Sequence, residues 1–192
     1  MSIIDPPVNR REPRSCGTCS LCCNLLFVAD LDKPENVWCQ HATPRGCGCG
    51  IYATRPAGCA AFLCNWLTDP SLGDEWKPNR SNIIVSPSLG GRGLRISVDP
   101  DTPGVWRNEP FYARIKQWSQ ATPAGTGYVA VFAGAQCFVV FPEEDLEVSS
   151  IKPGSGVRAG YLAVTNGRQP IVQIRYADGV VKEFRGAIHS PR

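Results

Sequence analysis

The 192-residue chain has one methionine, two histidines and a net charge of only +3. Each shortage excludes something. With His41 and His189 as the only imidazoles, the Ser/His/Asp context of a hydrolase is missing. A surplus of three positive charges is too small to argue for nucleic acid, and none is expected as a partner. The longest mostly apolar stretch, residues 128–141, is interrupted by Gly134 and Gln136 and falls short of the roughly 18 to 20 residues a membrane helix needs. No membrane association is expected. The N-terminus lacks the apolar core of a secretory signal, so a cytoplasmic protein is expected. Lys152-Pro153-Gly154-Ser155-Gly156 has glycines but no Gly-Lys-Ser/Thr, so no phosphate-cradling loop is read there. Internal repeats and low-complexity tracts are also absent. With 43% hydrophobic and 19% charged residues, the chain can fold around an ordinary core.

Cysteine is what the chain has in excess: ten residues, all but Cys137 between Cys16 and Cys64. Such clustering means a disulfide framework, thiolate metal ligation or a redox-active thiol set. Disulfides replace a core in small secreted domains, and this chain is neither short nor visibly secreted. Metal ligation is therefore the expected chemistry.

The sequence divides into a flexible arm over residues 1–14, rich in Pro and Arg, a cysteine-cluster metal-binding module over 15–70, a Gly/Pro/Asp-rich connector, and a body over 81–186. In the module, helices are expected over 17–28, capped by Ser15, and over 56–67, opened by Pro56. In the body, Leu94, Ile96 and Val98 alternate with Arg95, Ser97 and Asp99, the period-2 signature of a strand, and 83–86 reads as its hairpin partner across Gly90-Gly91. Phe111, Ile115 and Trp118 stripe a helix over 109–120 capped by Asn108. Strands are expected over 128–132, 137–141, 171–176 and 180–184, the last two joined at Asp178-Gly179. The fold class is α+β: a small helical and loop cysteine-rich metal module packed on a mainly antiparallel β-sheet body with one covering helix. Glu143-Glu144-Asp145 reads as a solvated helix start, His189 as part of a frayed terminus, and Cys137 as a buried inert thiol.

On a helix, Cys16, Cys19, Cys22 and Cys23 would share one face about 120° wide. Adjacent Cys22 and Cys23 would diverge by about 100°, so they suit two metal centres, or two irons of one cluster, better than one tetrahedral ion. Cys39, Cys47, Cys49, Cys59, Cys64 and His41 are the remaining candidates, with glycines around Cys47 and Cys49 letting amide N–H groups approach sulfur. Two four-coordinate sites need eight ligands, which this set supplies, and one such site would leave at least four thiols spare.

The run Cys16-x-x-Cys19-x-x-Cys22-Cys23, then Trp38-Cys39-x-His41, then Cys49-Gly50-Ile51-Tyr52-x-x-Arg55-Pro56-x-x-Cys59-x-x-Phe62-x-Cys64-x-Trp66, resembles the CxxCxxCC (YkgJ-like) family of zinc- or iron-chelating cysteine-cluster proteins. The resemblance implies metal ligation by Cys16, Cys19, Cys22, Cys23, Cys39, Cys49, Cys59 and Cys64. Cys47 stands outside the shared pattern, and Ala60 stands where a basic residue is expected. A related module accompanies methyl transfer in flagellin lysine N-methylases. The metal is left open between zinc and iron, including an iron–sulfur cluster serving an oxidoreductase or transferase, and a Cu(I)-type carrier or sensor is a further alternative. Metal ions are the expected partner. His41 is expected near the metal or at the surface, Arg55 to turn its loop or offset thiolate charge, and Tyr52, Phe62, Trp38 and Trp66 to form an apolar shell. With few apolar residues of its own, the module is expected to unfold on chelation while the strands persist.

Overall fold

The alternation at Leu94, Ile96 and Val98 forms strand β2 (Leu94–Val98) in the computed structural model of the chain, which describes residues 14–43, 47–88, 92–149, 151–152 and 154–190. β1 (Ile83–Pro87) pairs with it antiparallel, with Ile83 opposite Val98 and Val85 opposite Ile96. The Gly90-Gly91 turn and residues 1–13 of the expected arm lie outside the described residues. β3 (Val129–Ala133), β4 (Gln136–Val140) and β5 (Asp145–Val148) complete a sheet of order β1-β2-β3-β4-β5. β6 (Gly156–Val164), β7 (Gly167–Arg175) and β8 (Val181–Arg185) form a second, antiparallel sheet. The fold is α+β, with two sheets and few helices. Among the described residues, no helix is long and apolar enough to cross a membrane.

One pairing departs from the antiparallel expectation. β2 and β3 run parallel, with Ile96 opposite Val131, because the chain between them passes through the long helix Phe111–Ala121, which returns it to the same end of the sheet. The strands enter this pair at Gly93 and Gly127, where a β-carbon on either would sit on a carbonyl of the other strand. That helix starts later than expected. Pro110 holds the residue before it away from helical backbone, and the Asn108 carbonyl, instead of its side chain, accepts the Tyr112 amide at 3.0 Å.

The pleat of the five-stranded sheet then decides the core. Ile96, Val98, Val131, Phe138 and Val140 share one face and are covered by fully buried Ile115 and Trp106, together with Phe111 and Trp76, whose rings meet edge-on at 4.9 Å. Leu21, Leu25, Cys64 and Trp66, from the cysteine-bearing part of the chain, join this same cluster. Cys137, Val139 and Val148 point the other way and pack against Ala159, Val172 and Ile174 of the second sheet.

Two strands correct the sequence reading. The acidic run at 143–145 leads into β5 instead of starting a helix, because its charges are satisfied across the fold. Lys116 Nζ lies 2.7 Å from Asp145, Tyr161 donates to Glu143 at 2.7 Å, and Arg168 pairs with Glu143. β6 has no counterpart among the expected strands; its apolar positions, Val157, Ala159 and Tyr161, are diluted by Gly156, Arg158 and Gly160. His189 is not frayed, since it forms a bridge with Arg168 through two 2.9 Å backbone bonds.

Glu143 gives this junction a pH dependence. Burial alone would raise its pKa, but the bonds from Tyr161 and Arg168 outweigh that and hold it below the usual carboxylate range. Its stabilisation is therefore fully present above the unfolded value of about 4.3 and is lost as pH falls through the folded value. With Arg168 about half in solvent, the loss should be about 1 kcal/mol. Urea midpoints of the wild type and Glu143→Gln should converge between pH 6 and pH 3; parallel curves would show that this carboxylate is not what acid disrupts.

Candidate metal centre

The chain around Cys16 and Cys19 turns instead of coiling into a helix. Gly17 takes φ +53°, the Cys19 amide donates to the Cys16 carbonyl at 2.9 Å, and helix α1 spans only Cys22–Leu25. The expected helix over 17–28 is thus a turn followed by one helical turn, and the single-face geometry for its four sulfurs does not hold. The residues explain it: glycine and cysteine are weak helix formers, while Leu21 and Leu25, four apart, bury in the core. The second expected helix is also broken, into α2 (Ala57–Ala61) and α3 (Asn65–Thr68), with Cys64 extended at φ −72°, ψ 155° as the cap of α3. The break lets Cys64 and Trp66 enter the core while Cys59 stays outside it.

These short elements line one cavity of about 480 Å³ with Cys16, Cys19, Cys22, Cys23, Cys39, Cys49, Cys59 and Cys64, together with His41. All eight cysteines that the resemblance implies as ligands line this cavity, and none is tied into a disulfide. Cys47 is exposed and outside the lining. Cys137 lies in the second core, where burial pushes its thiol up to about 11.

Two cations to which the sequence assigns no role here set the walls. Arg14, at the end of the expected arm, donates to the carbonyls of Trp66 at 2.6 Å and Asp69 at 3.0 Å and also to that of Leu72, so it ties the start of the cysteine segment to α3. Lys33 is 5% exposed and donates to the carbonyls of Asn24, Leu26 and Pro34 at 2.7, 2.5 and 2.8 Å. It thereby satisfies the C-terminal end of α1, which carries Cys22 and Cys23. Burial lowers its pKa, opposed by the nearby sulfurs of Cys39, Cys23 and Cys22. No signal in the sequence marks either residue, because neither sits in a recognisable spacing.

The Cys39 amide donates to the Cys23 carbonyl at 2.9 Å, and the Ala42–Cys49 bridge, closed by the Gly50 amide on the His41 carbonyl at 2.8 Å, brings the later cysteines back. The His41 amide reaches the Cys39 sulfur at 3.5 Å. The crowded thiols oppose one another's ionisation. Burial raises Cys16, Cys59 and Cys64, and neighbouring sulfurs add to it in each case. Cys22 hydrogen-bonds to Cys23 and keeps its proton, which makes Cys23 the readier thiolate of the pair.

The donor set fits a thiophilic cation. Arg55 lines the cavity beside Cys16 and Cys49, stacks 3.8 Å from the Tyr52 ring centroid, and keeps a buried Nε with no hydrogen-bond partner. A cation with a spare donor suits the negative charge that ligating thiolates would carry. Among the described residues, no three His, Cys, Asp or Glu side chains already converge as a bound ion requires. The expected aromatic shell is half formed: Trp66 is buried and Phe62 packs on the core, but Trp38 and Tyr52 are 49% and 54% exposed. No family model, curated protein or solved structure matches the chain.

Proposed function

We propose that the chain is a metal-binding protein whose eight cavity cysteines hold more than one thiophilic ion, zinc or iron, in a polynuclear or two-site centre. On this reading residues 15–70 are a cysteine-cluster module packed on the α+β body, and the protein works in the cytoplasm, where thiols stay reduced. The observation that carries it is the convergence of Cys16, Cys19, Cys22, Cys23, Cys39, Cys49, Cys59 and Cys64, up to 48 positions apart, on one cavity that leaves out Cys47 and Cys137. The similarity of the cysteine pattern to the CxxCxxCC family supports the same ligand set. Bound zinc would supply charge neutralisation and folding energy; iron, and an iron–sulfur cluster above all, would add electron transfer.

Elemental analysis of anaerobically purified protein tests the reading, together with its visible spectrum. At least two metal ions per chain are expected, colourless for zinc and brown for iron–sulfur. Cys47→Ser and Cys137→Ser should leave the metal content unchanged. One ion per chain, or none, overturns the reading.

A further inference from the structure

The eight thiols are not equivalent, and their differences divide them evenly. Cys64 belongs to the main core, and Cys19 and Cys22 pack directly against it. Cys16 is held to Cys19 by the 2.9 Å turn bond, and Arg14, two residues before it, is bonded to the carbonyls of α3, the helix that Cys64 caps. Cys23, Cys39, Cys49 and Cys59, like Cys16, have no place in that core cluster, but they lack the tie to α3 that Arg14 gives Cys16. The backbone links three of them to each other: the Cys39 amide to the Cys23 carbonyl, and the Ala42 amide to the Cys39 carbonyl at the strand bridge that carries Cys49. Cys59 lies with Cys39 and Cys49 on residues 34–63, none of which is buried among those described.

Building on the proposed metal centre, we infer that the cavity holds two adjacent four-thiolate sites, an inner one made by Cys16, Cys19, Cys22 and Cys64 and an outer one made by Cys23, Cys39, Cys49 and Cys59. One peptide bond joins them. This gives each member of the vicinal pair an ion of its own, where a single four-coordinate ion would need only one of them. The environments differ in a way that predicts different behaviour. The inner set rests on the core cluster that holds Leu25, Trp66 and the sheet residues, and Cys64 itself is buried. The outer set is carried by residues 34–63, none of which is buried among those described, and by Cys23, and it opens towards exposed Phe27, Tyr52 and Leu63. The inner ion should therefore exchange slowly and the outer ion quickly.

The full chain, stripped of metal and reloaded anaerobically with ¹¹³Cd(II), tests the division directly. Two cadmium resonances in the four-sulfur range are expected, one correlated with the β-protons of Cys16, Cys19, Cys22 and Cys64 and the other with those of Cys23, Cys39, Cys49 and Cys59. Cys49→Ser/Cys59→Ser should lose the outer resonance and reduce bound cadmium from two to one per chain while the inner resonance stays. A limiting amount of chelator should remove the outer signal at least tenfold faster. The wild-type correlations decide the matter even if the variant misfolds. A cysteine coupled to both ions, or one ion coupled to cysteines of both sets, overturns the division but leaves the metal centre standing. Failure to retain cadmium at all overturns both.

Discussion

Chelation is expected to abolish amide protection across residues 34–63 while residues 21–25, 64–68 and both sheets remain protected. The cysteine-bearing segment is not one uniform unit. Leu21, Leu25, Cys64 and Trp66 are built into the core over the five-stranded sheet, and Arg14 clamps the segment's start to α3. Residues 34–63 contain no buried residue among those described, yet they carry Cys39, Cys49 and Cys59. Ordering them costs roughly 1–2 kcal/mol per residue, with little more than Phe62, packed against the core, to offset it. Ligand bonds are the available source, since a structural zinc ion contributes on the order of 10 kcal/mol or more at neutral pH. The expectation from sequence, that the whole module unfolds on chelation, is thereby narrowed to its outer half. Hydrogen exchange with and without chelator measures it. Protection retained over 34–63 would show that hydrogen bonds alone hold the loop, and protection lost from the sheets would show one cooperative unit.

Trp66→Ala should cost about 3–5 kcal/mol, the usual range for truncating a buried aromatic. The side chain is 6% exposed, lies in the main core, and has the Arg14 guanidinium and the Lys77 ammonium at 4.9 and 5.0 Å from its ring. Its loss leaves a cavity beneath α3 and removes the ring on which the Arg14 guanidinium rests, so Cys64 should lose its fixed position as well. Trp106→Ala is the comparison. Trp106 is fully buried against Phe138, with ring centroids 5.4 Å apart, and its neighbours Val105 and Arg107 do not line the cysteine cavity, whereas Cys64 and Leu67 beside Trp66 do. Both variants should lower the urea midpoint by similar amounts, and only Trp66→Ala should also reduce bound metal measured under native conditions. Equal metal retention would mean that α3 keeps its place without its tryptophan.

The candidate ligands are legible in the chain because the relevant chemistry belongs to residue type. A thiol is a soft-metal donor wherever it sits, and nine of them within residues 16–64 announce themselves. The strand at Leu94, Ile96 and Val98 and the Phe111–Ile115–Trp118 stripe are legible for a related reason, since burial on one face leaves a period in the sequence. The Cys16–Leu25 backbone is not, because a helical spacing of cysteines does not make a helix where Gly17 takes φ +53°, and the burial of Leu21 and Leu25 holds only the single helical turn that follows. Nor is β5, whose acidic residues look solvent-bound until Lys116, Tyr161 and Arg168 arrive from distant elements.

By itself the sequence determined the thiol set, the α+β class and most of the strands, all of which follow from residue chemistry and local periodicity. Tertiary structure alone decided that β2 and β3 run parallel, that Cys64 enters the core while Cys59 does not, and that Arg14 and Lys33 fasten the cavity walls. Those outcomes depend on which carbonyls and apolar faces are left unsatisfied once the sheets have formed, and no local spacing in the chain records that.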